Sequence, residues 1–256
     1  MFSKKLIYLF TVIGLLTVAT ITKAETTLVA VAANFTKPMN EIAALFEKTT
    51  GHSAKLSFGS SGKFVAQIEN DAPFEFFLAA DDKNPVKLQQ DGFAVAKSNF
   101  TYAVGKLVLW SASPDVIDVQ GQVLSKGGFK HLALADPKLA PYGEAALEVL
   151  KSKKLLDKLR PLFVQGENIA QTYQFVSTGN AELGFVALSQ VIDAEKGKIT
   201  TGSSWLIPEN LYAPLRQDAV LLNKGQSNPA ALALLTFLKT EPALAIIHKY
   251  GYGLSN

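Results

Sequence analysis

Four short segments of the sequence carry groups that could bind an anion. Each offers hydroxyl, amide or small residues, and none places Lys or Arg at its tip. They are Ala32-Ala33-Asn34, Gly59-Ser60-Ser61-Gly62, Pro141-Tyr142-Gly143 and Glu167-Asn168-Ile169. The first turn of a helix leaves backbone N–H groups without partners and carries a charge of roughly +0.5 from the aligned peptide dipoles. If helices begin at these segments, they form anion sites that need no charged side chain.

Taken singly, each of these residues also has an interpretation without a ligand. Asn34, Ser61 and Asn168 are residue types typical of helix N-caps. Glycines such as Gly59 and Gly62 are typical of turns, and Tyr142 could be an interfacial ring with its hydroxyl in water. The residues alone leave both interpretations open.

Catalytic motifs fit this sequence less well. The segment from Gly59 to Lys63 is similar to a phosphate loop or a nucleophile elbow, but Ser57 and Phe64 break the first pattern and Lys63 stands where the second needs glycine. An exported hydrolase with Ser60 or Ser61 as nucleophile remains as a remote alternative. We therefore expect a binding protein and not an enzyme.

The titratable residues do not suggest a metal or acid–base site. His52, His131 and His248 are far apart and lack the spacing of metal ligands, so they are interpreted as surface or capping residues. His52 is the only histidine near the Ser60-Ser61 pair, on the far side of a strand. Asp81 and Asp82 are adjacent, and neighbours on a strand point to opposite faces, so we expect them to end a strand. No cofactor is predicted.

The N-terminus has the pattern of a secretory signal peptide. Lys4 and Lys5 precede an apolar run from Leu6 to Ala19, and small or polar residues lead to Ala24. The run is about 14 residues long, whereas a membrane span needs about 20. The sequence contains no cysteine that could accept a lipid. We therefore predict cleavage near Ala24 and a free protein in the periplasm.

The charge balance argues against nucleic acid or a membrane surface as partner. The chain has 25 Lys and Arg residues and 22 Asp and Glu residues. Three of the basic residues and none of the acidic ones lie in the predicted signal peptide, which leaves 22 against 22. A neutral chain without a basic stripe is not typical of nucleic-acid or membrane-surface binding.

Short apolar strands alternate with amphipathic helices, which predicts an α/β fold with largely parallel sheets. The alternation stops at an extended segment from Tyr102 to Trp110, begins again, and returns to extended chain from Tyr212 to Leu222. Periodicity leaves two arrangements open: two lobes joined by two crossings, or one doubly wound sheet. In either, ligands bind beyond the carboxyl ends of the strands.

Read together, these segments resemble the periplasmic molybdate-binding proteins of ABC importers, from about Thr27 to Gly251. The motifs that carry the resemblance are VAVAANFTKPM, LSFGSSGKFVAQIENDAPFEFFLAAD, LALADPKLAPYGEAALEVL, GENIAQTY, ELGFVALSQV and IIHKYGY. The resemblance implies a type II periplasmic-binding-protein fold, with two α/β lobes on a two-strand hinge and a ligand cleft between them. We expect residues 1–24 to be the signal peptide, residues 25–104 plus 216–256 to be lobe I, and residues 105–215 to be lobe II.

The resemblance also implies a ligand and its contacts. A tetrahedral molybdate or tungstate dianion would be held through its oxygens by Asn34, Ser61, Tyr142 and the amide of Ile169, with Ala33 as a further amide donor. Some members of the family place a tyrosine where this chain has Ala187, so Tyr142 is expected to supply the phenol. The implied partner is a membrane permease, and we expect a monomer. Sulfate, thiosulfate or vanadate remain as alternative ligands.

Overall fold

The computed structural model describes residues 24–254. The signal peptide predicted over residues 1–24 falls outside them, except for Ala24. The strands are β1 (Thr26–Ala32), β2 (Ser53–Gly59), β3 (Phe76–Leu78), β4 (Phe100–Gly105), β5 (Leu107–Ser111), β6 (Leu132–Ala135), β7 (Phe163–Gly166), β8 (Leu183–Ala187), β9 (Ile192–Asp193), β10 (Lys198–Ile199), β11 (Ser203–Leu206) and β12 (Leu215–Leu221).

Helices connect most of these strands. The α-helices are α1 (Thr36–Thr50), α2 (Ser61–Glu69), α3 (Lys83–Gln90), α4 (Val123–Lys126), α5 (Pro141–Ser152), α6 (Leu156–Leu159), α7 (Ile169–Ser177), α8 (Leu188–Val191), α9 (Pro229–Phe237) and α10 (Glu241–Lys249). Short 3-10 helices cover Ala33–Phe35, Arg160–Leu162, Glu209–Leu211 and Asn223–Gly225.

Ten of the strands form two five-stranded sheets with the same internal plan, and β9 and β10 pair in a separate two-stranded sheet. The first has the order β2-β1-β3-β12-β4 and the second the order β11-β5-β8-β6-β7. In each, three parallel strands are followed by an antiparallel strand, β12 in the first sheet and β5 in the second. We call the first sheet with α1, α2, α3, α9 and α10 the first unit, and the second sheet with α4 to α8 the second unit. The alternative of one doubly wound sheet, which the sequence left open, is therefore wrong.

The chain passes between the sheets where the sequence predicted one long extended segment. β4 ends at Gly105 and β5 begins at Leu107, so Lys106 alone separates strands of different sheets. The chain returns just before β12, where Leu215 is paired with Gly105. The two crossings are therefore neighbours, which places the units side by side on a short double connection.

Burial explains why the sequence predicted the central strands. All residues of β3, β5, β6 and β8 are buried. Strands covered by helices on both faces read as continuous apolar runs. Apolar clusters fill the interiors of both units, and the largest cluster of the second unit also includes Ala32, Ala33 and Ala80 of the first. Within residues 24–254, no single helix is long and apolar enough to cross a bilayer, and α9 and α10 reach that length only as a pair bent by 65°.

Helix α3 and strand β11 are two of the elements that the sequence did not predict. Helix α3 buries only Pro85 and Leu88, so its periodic signal is weak. It begins after Asp81, whose Oδ1 accepts a hydrogen bond from the Asn84 N–H at 2.7 Å. Strand β11 is an edge strand held by pairing with β5, a contact distant in the chain. Only β11 depends on a partner that is distant in the chain, whereas the bond at the start of α3 is local.

Candidate functional site

A small cavity of about 10 Å³ lies between the two units. None of the residues that line it carries a charged side chain. They are Ala32, Ala33, Asn34, Gly59, Ser60, Ser61, Ala80, Ala140, Pro141, Tyr142, Asn168 and Ile169. All five residues predicted as ligand contacts are among them. The cavity is far smaller than the sites of larger organic ligands, which measure about 300 to 1,000 Å³.

Four strand ends bring these residues together. β1 leads into the 3-10 helix Ala33–Phe35, β2 into α2, β6 into α5 and β7 into α7. Carboxyl ends of neighbouring parallel strands share one edge of a sheet. The corresponding edges of the two sheets meet at the cavity, so helix starts from both units surround it.

Asn168 leaves one amide of α7 available at the cavity. Its Oδ1 accepts hydrogen bonds from the N–H groups of Ala170 at 2.9 Å and Gln171 at 3.1 Å, and its carbonyl oxygen accepts from Thr172 at 3.1 Å. The N-cap interpretation of Asn168 is therefore confirmed. The Ile169 N–H, as the first amide of the helix, has no such partner among residues 24–254.

Ser61 is buried and serves as a hydrogen-bond acceptor inside the protein. Its Oγ accepts from the Ala80 N–H at 2.8 Å, and the residue is 1% exposed. The N-cap interpretation of Ser61 is wrong, because Ser61 is the first residue within α2 and its hydroxyl caps nothing. Since the oxygen already accepts one bond, the hydroxyl hydrogen is directed to a different acceptor.

Ser60 lies in one of the predicted anion-binding segments and was considered as a nucleophile, but it was not among the predicted ligand contacts. It occupies the N-cap position of α2, yet its side chain makes no capping bond. Its Oγ is buried and has no hydrogen-bond partner among the described residues. An N-cap serine normally uses its hydroxyl on its own helix. The doubled serine in the sequence was the available signal for this second hydroxyl.

Tyr142 is fully buried, so the interpretation as an interfacial ring in water is wrong. It is 1% exposed, and its hydroxyl oxygen accepts from Gln217 Nε2 at 3.1 Å. Burial raises the pKa of the Tyr142 phenol well above its usual value. The phenol therefore keeps its proton at neutral pH and can act as a hydrogen-bond donor.

Asn34 belongs to a buried network and does not cap a helix. Its Nδ2 donates to Gln217 Oε1 and to the Tyr252 hydroxyl, both at 2.9 Å. Its Oδ1 is buried without a partner among the described residues. Both hydrogens of the amide are thus committed. With the amide in this orientation, a ligand could accept a hydrogen bond from the Asn34 side chain only if the amide flipped.

Gly59 and Gly62 matter because they are small and not because they permit a turn. Neither Gly59 nor Gly62 has a positive φ, so the turn interpretation of both is not supported. The Gly62 N–H donates to the Leu139 carbonyl of the second unit at 2.9 Å. A Cβ at position 62 would lie 3.2 Å from the Leu139 backbone. Gly62 therefore permits close approach of the two units.

The geometry does not assemble a hydrolase or a metal site. His52 precedes β2 and the serine pair follows it, and a strand of this length spans about 23 Å. The His52 Nδ1 accepts from the Glu25 N–H at 3.2 Å. Among residues 24–254, no group of three or more His, Cys, Asp or Glu side chains could hold a metal ion.

Comparison with known proteins agrees with this geometry. The family model described as bacterial extracellular solute-binding protein matches residues 27–253. The chain belongs to this family. This solute-binding protein is 59% identical over 226 residues to the molybdate-binding protein ModA of Azotobacter vinelandii, which covers 88% of this chain and 89% of that protein. It is 55% identical over 223 residues to ModA of Rhodobacter capsulatus, with coverage of 87% and 86%.

A solved structure shares the architecture of this solute-binding protein. The periplasmic molybdate-binding protein of Azotobacter vinelandii superposes with a TM-score of 0.87 at 43% sequence identity, over 90% of this chain and 100% of that one. The type II fold expected from the sequence is thereby confirmed. These relatives are named as binding proteins and not as enzymes.

Proposed function

We propose that this protein binds molybdate in the periplasm and delivers it to the membrane permease of an ABC importer. The observation that carries the proposal is the identity of 59% and 55% to two proteins named as molybdate-binding. The uncharged cavity at converging helix starts supports it independently. Tungstate, a dianion of the same shape, is expected to bind as well.

The two units are proposed to be the lobes of this binding protein. The crossings at Lys106 and before Leu215 support a lobe I of residues 25–104 plus 216–256 and a lobe II of residues 105–215. A short double connection permits hinge motion, by which such proteins close around ligands. Opening would admit the ion, and the closed surface would be the one presented to the permease. The protein is proposed to act as a monomer, which size-exclusion chromatography with light scattering would test.

The proposed contacts are neutral donors from both units. They comprise the hydroxyls of Ser60, Ser61 and Tyr142 and the backbone N–H groups of Ala33, Asn34 and Ile169. A hydrogen bond to a charged acceptor contributes about 1.5 to 3 kcal/mol. Six contacts therefore give about 9 to 18 kcal/mol, against about 4 to 15 kcal/mol lost on association. The difference can reach the 8 kcal/mol or so of micromolar binding without a salt bridge.

Such a site favours fully deprotonated oxyanions. Phosphate near neutral pH often carries a proton, which needs an acceptor in the site, and no carboxylate lines the cavity. Sulfate has the same charge and shape as molybdate, so only the size of the cavity can separate them. Sulfate, thiosulfate and vanadate are therefore the competitors to test.

A thermal-shift series with molybdate, tungstate, sulfate and phosphate tests the proposal. A ligand present at 100 times its Kd stabilises the folded state by about 2.7 kcal/mol. We expect molybdate and tungstate to raise the melting temperature and phosphate to leave it unchanged. Calorimetric competition with sulfate, thiosulfate and vanadate then ranks the anions. A sulfate affinity equal to or above that for molybdate would contradict the proposal.

A further inference from the structure

Behind the cavity, one buried side chain holds a predicted ligand contact from each unit. Gln217 on β12 is 0% exposed. Its Oε1 accepts from Asn34 Nδ2 at 2.9 Å and from the Tyr102 hydroxyl at 3.0 Å. Its Nε2 donates to the Tyr142 hydroxyl at 3.1 Å. Gln217 thus connects the first-unit residue Asn34 to the second-unit residue Tyr142.

We propose that Gln217 is a positioning residue whose amide orientation directs the hydrogen of Tyr142 toward the bound oxyanion. An amide has one end that only donates and one end that only accepts. Because the donating end faces Tyr142, the phenol accepts there and its own hydrogen is left for another acceptor. The neighbouring Tyr252 hydroxyl is one such acceptor within the protein, and the bound anion would be the other. The inference rests on the proposed function, since it assigns a task within the same site.

Asn34 fixes the orientation of the Gln217 amide, because its Nδ2 also donates to the Tyr252 hydroxyl and points a hydrogen at the Gln217 oxygen. A reversed Gln217 amide would place its N–H groups against the Asn34 N–H. Reversal would also let the oxygen accept the hydrogen of Tyr142 and remove it from the cavity. Buried polar networks of this kind are costly when only partly satisfied. The Asn34 bond therefore keeps Tyr142 available as a donor.

The backbone at the first crossing covers the bond between Gln217 and Tyr142. A Cβ at Gly105 would lie 2.2 Å from the Tyr142 hydroxyl and 2.5 Å from Gln217 Nε2. Those distances are far below van der Waals contact, so Gly105 packs its backbone directly over the pair. Water is thereby kept from competing for the bond.

The decisive variant is Gln217→Glu, which keeps the shape and removes the donating end. An ionised carboxylate only accepts, so it would take the hydrogen of Tyr142 and add negative charge beside a dianion. We expect molybdate binding at about pH 9 to be at least about 100-fold weaker than in the wild type. Burial raises the pKa of a carboxyl group, and a protonated one can again donate to Tyr142. Affinity should therefore recover in part as the pH falls to about 6.

Titration calorimetry from about pH 9 to about pH 6 measures this, with the wild type as the control for ligand protonation. Gln217→Met is the matched neutral variant, and its smaller loss should not depend on pH. If Gln217 had only a structural role, both variants would lose affinity in proportion to their fall in melting temperature. The affinity of Gln217→Glu would then not recover at low pH. Binding by Gln217→Glu within about threefold of wild type at high pH, or a loss that is constant with pH, would overturn the inference.

If Gln217→Glu does not fold, a double-mutant cycle of Gln217→Met with Tyr142→Phe replaces it. Coupling of the two losses is expected, because Gln217 acts through the Tyr142 hydroxyl, and additive losses would overturn the inference. The wild-type titration separates the two proposals. If the wild type binds sulfate instead of molybdate, the function is wrong and the Gln217 series is run with sulfate. If it binds none of the anions, both proposals are wrong.

Discussion

Two kinds of contact join the two units, and they differ in burial and charge. Behind the cavity, uncharged groups meet out of water: Gln217 Nε2 donates to Tyr142, and the Ser189 hydroxyl donates to the Asn34 carbonyl at 2.7 Å. At the mouth, Lys63 pairs with Glu167 and Lys83 lies 3.8 Å from Glu144. The side chains of both ion pairs are about half exposed or more.

The difference indicates which contacts set the geometry of the site. Exposed ion pairs contribute about 0 to 1 kcal/mol and are screened by salt. A buried hydrogen bond has no competing water, and leaving one partner unsatisfied costs about 1 to 3 kcal/mol. We therefore expect binding to depend on the buried neutral contacts and to be nearly indifferent to the exposed charges.

The largest effect is expected from Gly105→Ala. The added methyl group overlaps Tyr142 and Gln217, so one of them must move. Overpacking costs about 1 to 3 kcal/mol, and affinity should fall by about 100-fold as the pair separates. Calorimetry and thermal melting measure both effects. The control is Gly253→Ala, where a Cβ would meet Val104 at an ordinary 3.4 Å. Equal behaviour of the two variants would contradict the role of the buried pair.

Tyr142→Phe is expected to weaken molybdate binding by about 10- to 100-fold. The change removes one donor to the anion and leaves Gln217 Nε2 with one partner fewer. Titration calorimetry measures the loss, and circular dichroism should show an unchanged fold. Tyr173→Phe is the matched control, because Tyr173 lies against Trp110 outside the cavity. An unchanged affinity in Tyr142→Phe would remove this residue from the site.

Ser61→Ala and Ser60→Ala should each weaken binding by about tenfold, because each removes one hydroxyl donor. The two should differ in stability. Ser61 also accepts from the Ala80 N–H, so its removal leaves a buried donor unsatisfied. Ser60 has no such partner among the described residues. Calorimetry and denaturant unfolding separate the effects, with Ser177→Ala as a control. Full affinity in Ser60→Ala would show that its hydroxyl does not contact the anion.

Lys63→Met and Glu167→Gln probe the exposed contacts. We expect affinity to change by less than about fivefold at low salt and not at all near 1 M salt. Titrations at two salt concentrations measure this. A loss of affinity of more than tenfold that persists in high salt would contradict the expectation that only the buried contacts matter for binding.

The smallest expected effect on binding concerns pH. Burial raises the pKa of Tyr102, Tyr142 and Tyr252 above the usual value of 10. The three phenols should stay protonated, so their ionisation should not weaken binding below about pH 10.

The stability of the fold should depend on pH above about 10, because the unfolded chain then releases phenolic protons that the folded chain retains. The free energy of unfolding should fall as the pH rises above about 10, as denaturant titrations would show. Ionisation of Tyr102, Tyr142 or Tyr252 near pH 10 in the folded protein, assigned by comparing ultraviolet titrations of the wild type and the matching Phe variant, would contradict this.

The sequence by itself determined the α/β class, the central strands and the loops that line the cavity. Apolar runs such as Leu183–Ala187 and helix starts such as Ile169 after its cap Asn168 are local signals, because they depend on neighbours in the chain. The resemblance to a family then suggested which of these loops share a cleft. Asn34, Ser61, Tyr142, Ile169 and Ala33 do line one cavity.

The tertiary structure alone decided which atoms of these residues remain available. Asn34 and Gln217 are 183 residues apart, and Tyr142 and Gln217 are 75 apart, so no local pattern predicts their hydrogen bonds. The same holds for the edge strand β11, for the passage between sheets at Lys106, and for the free hydroxyl of Ser60. Donors and acceptors become committed only when distant segments pack together, because burial removes the water that would otherwise satisfy them.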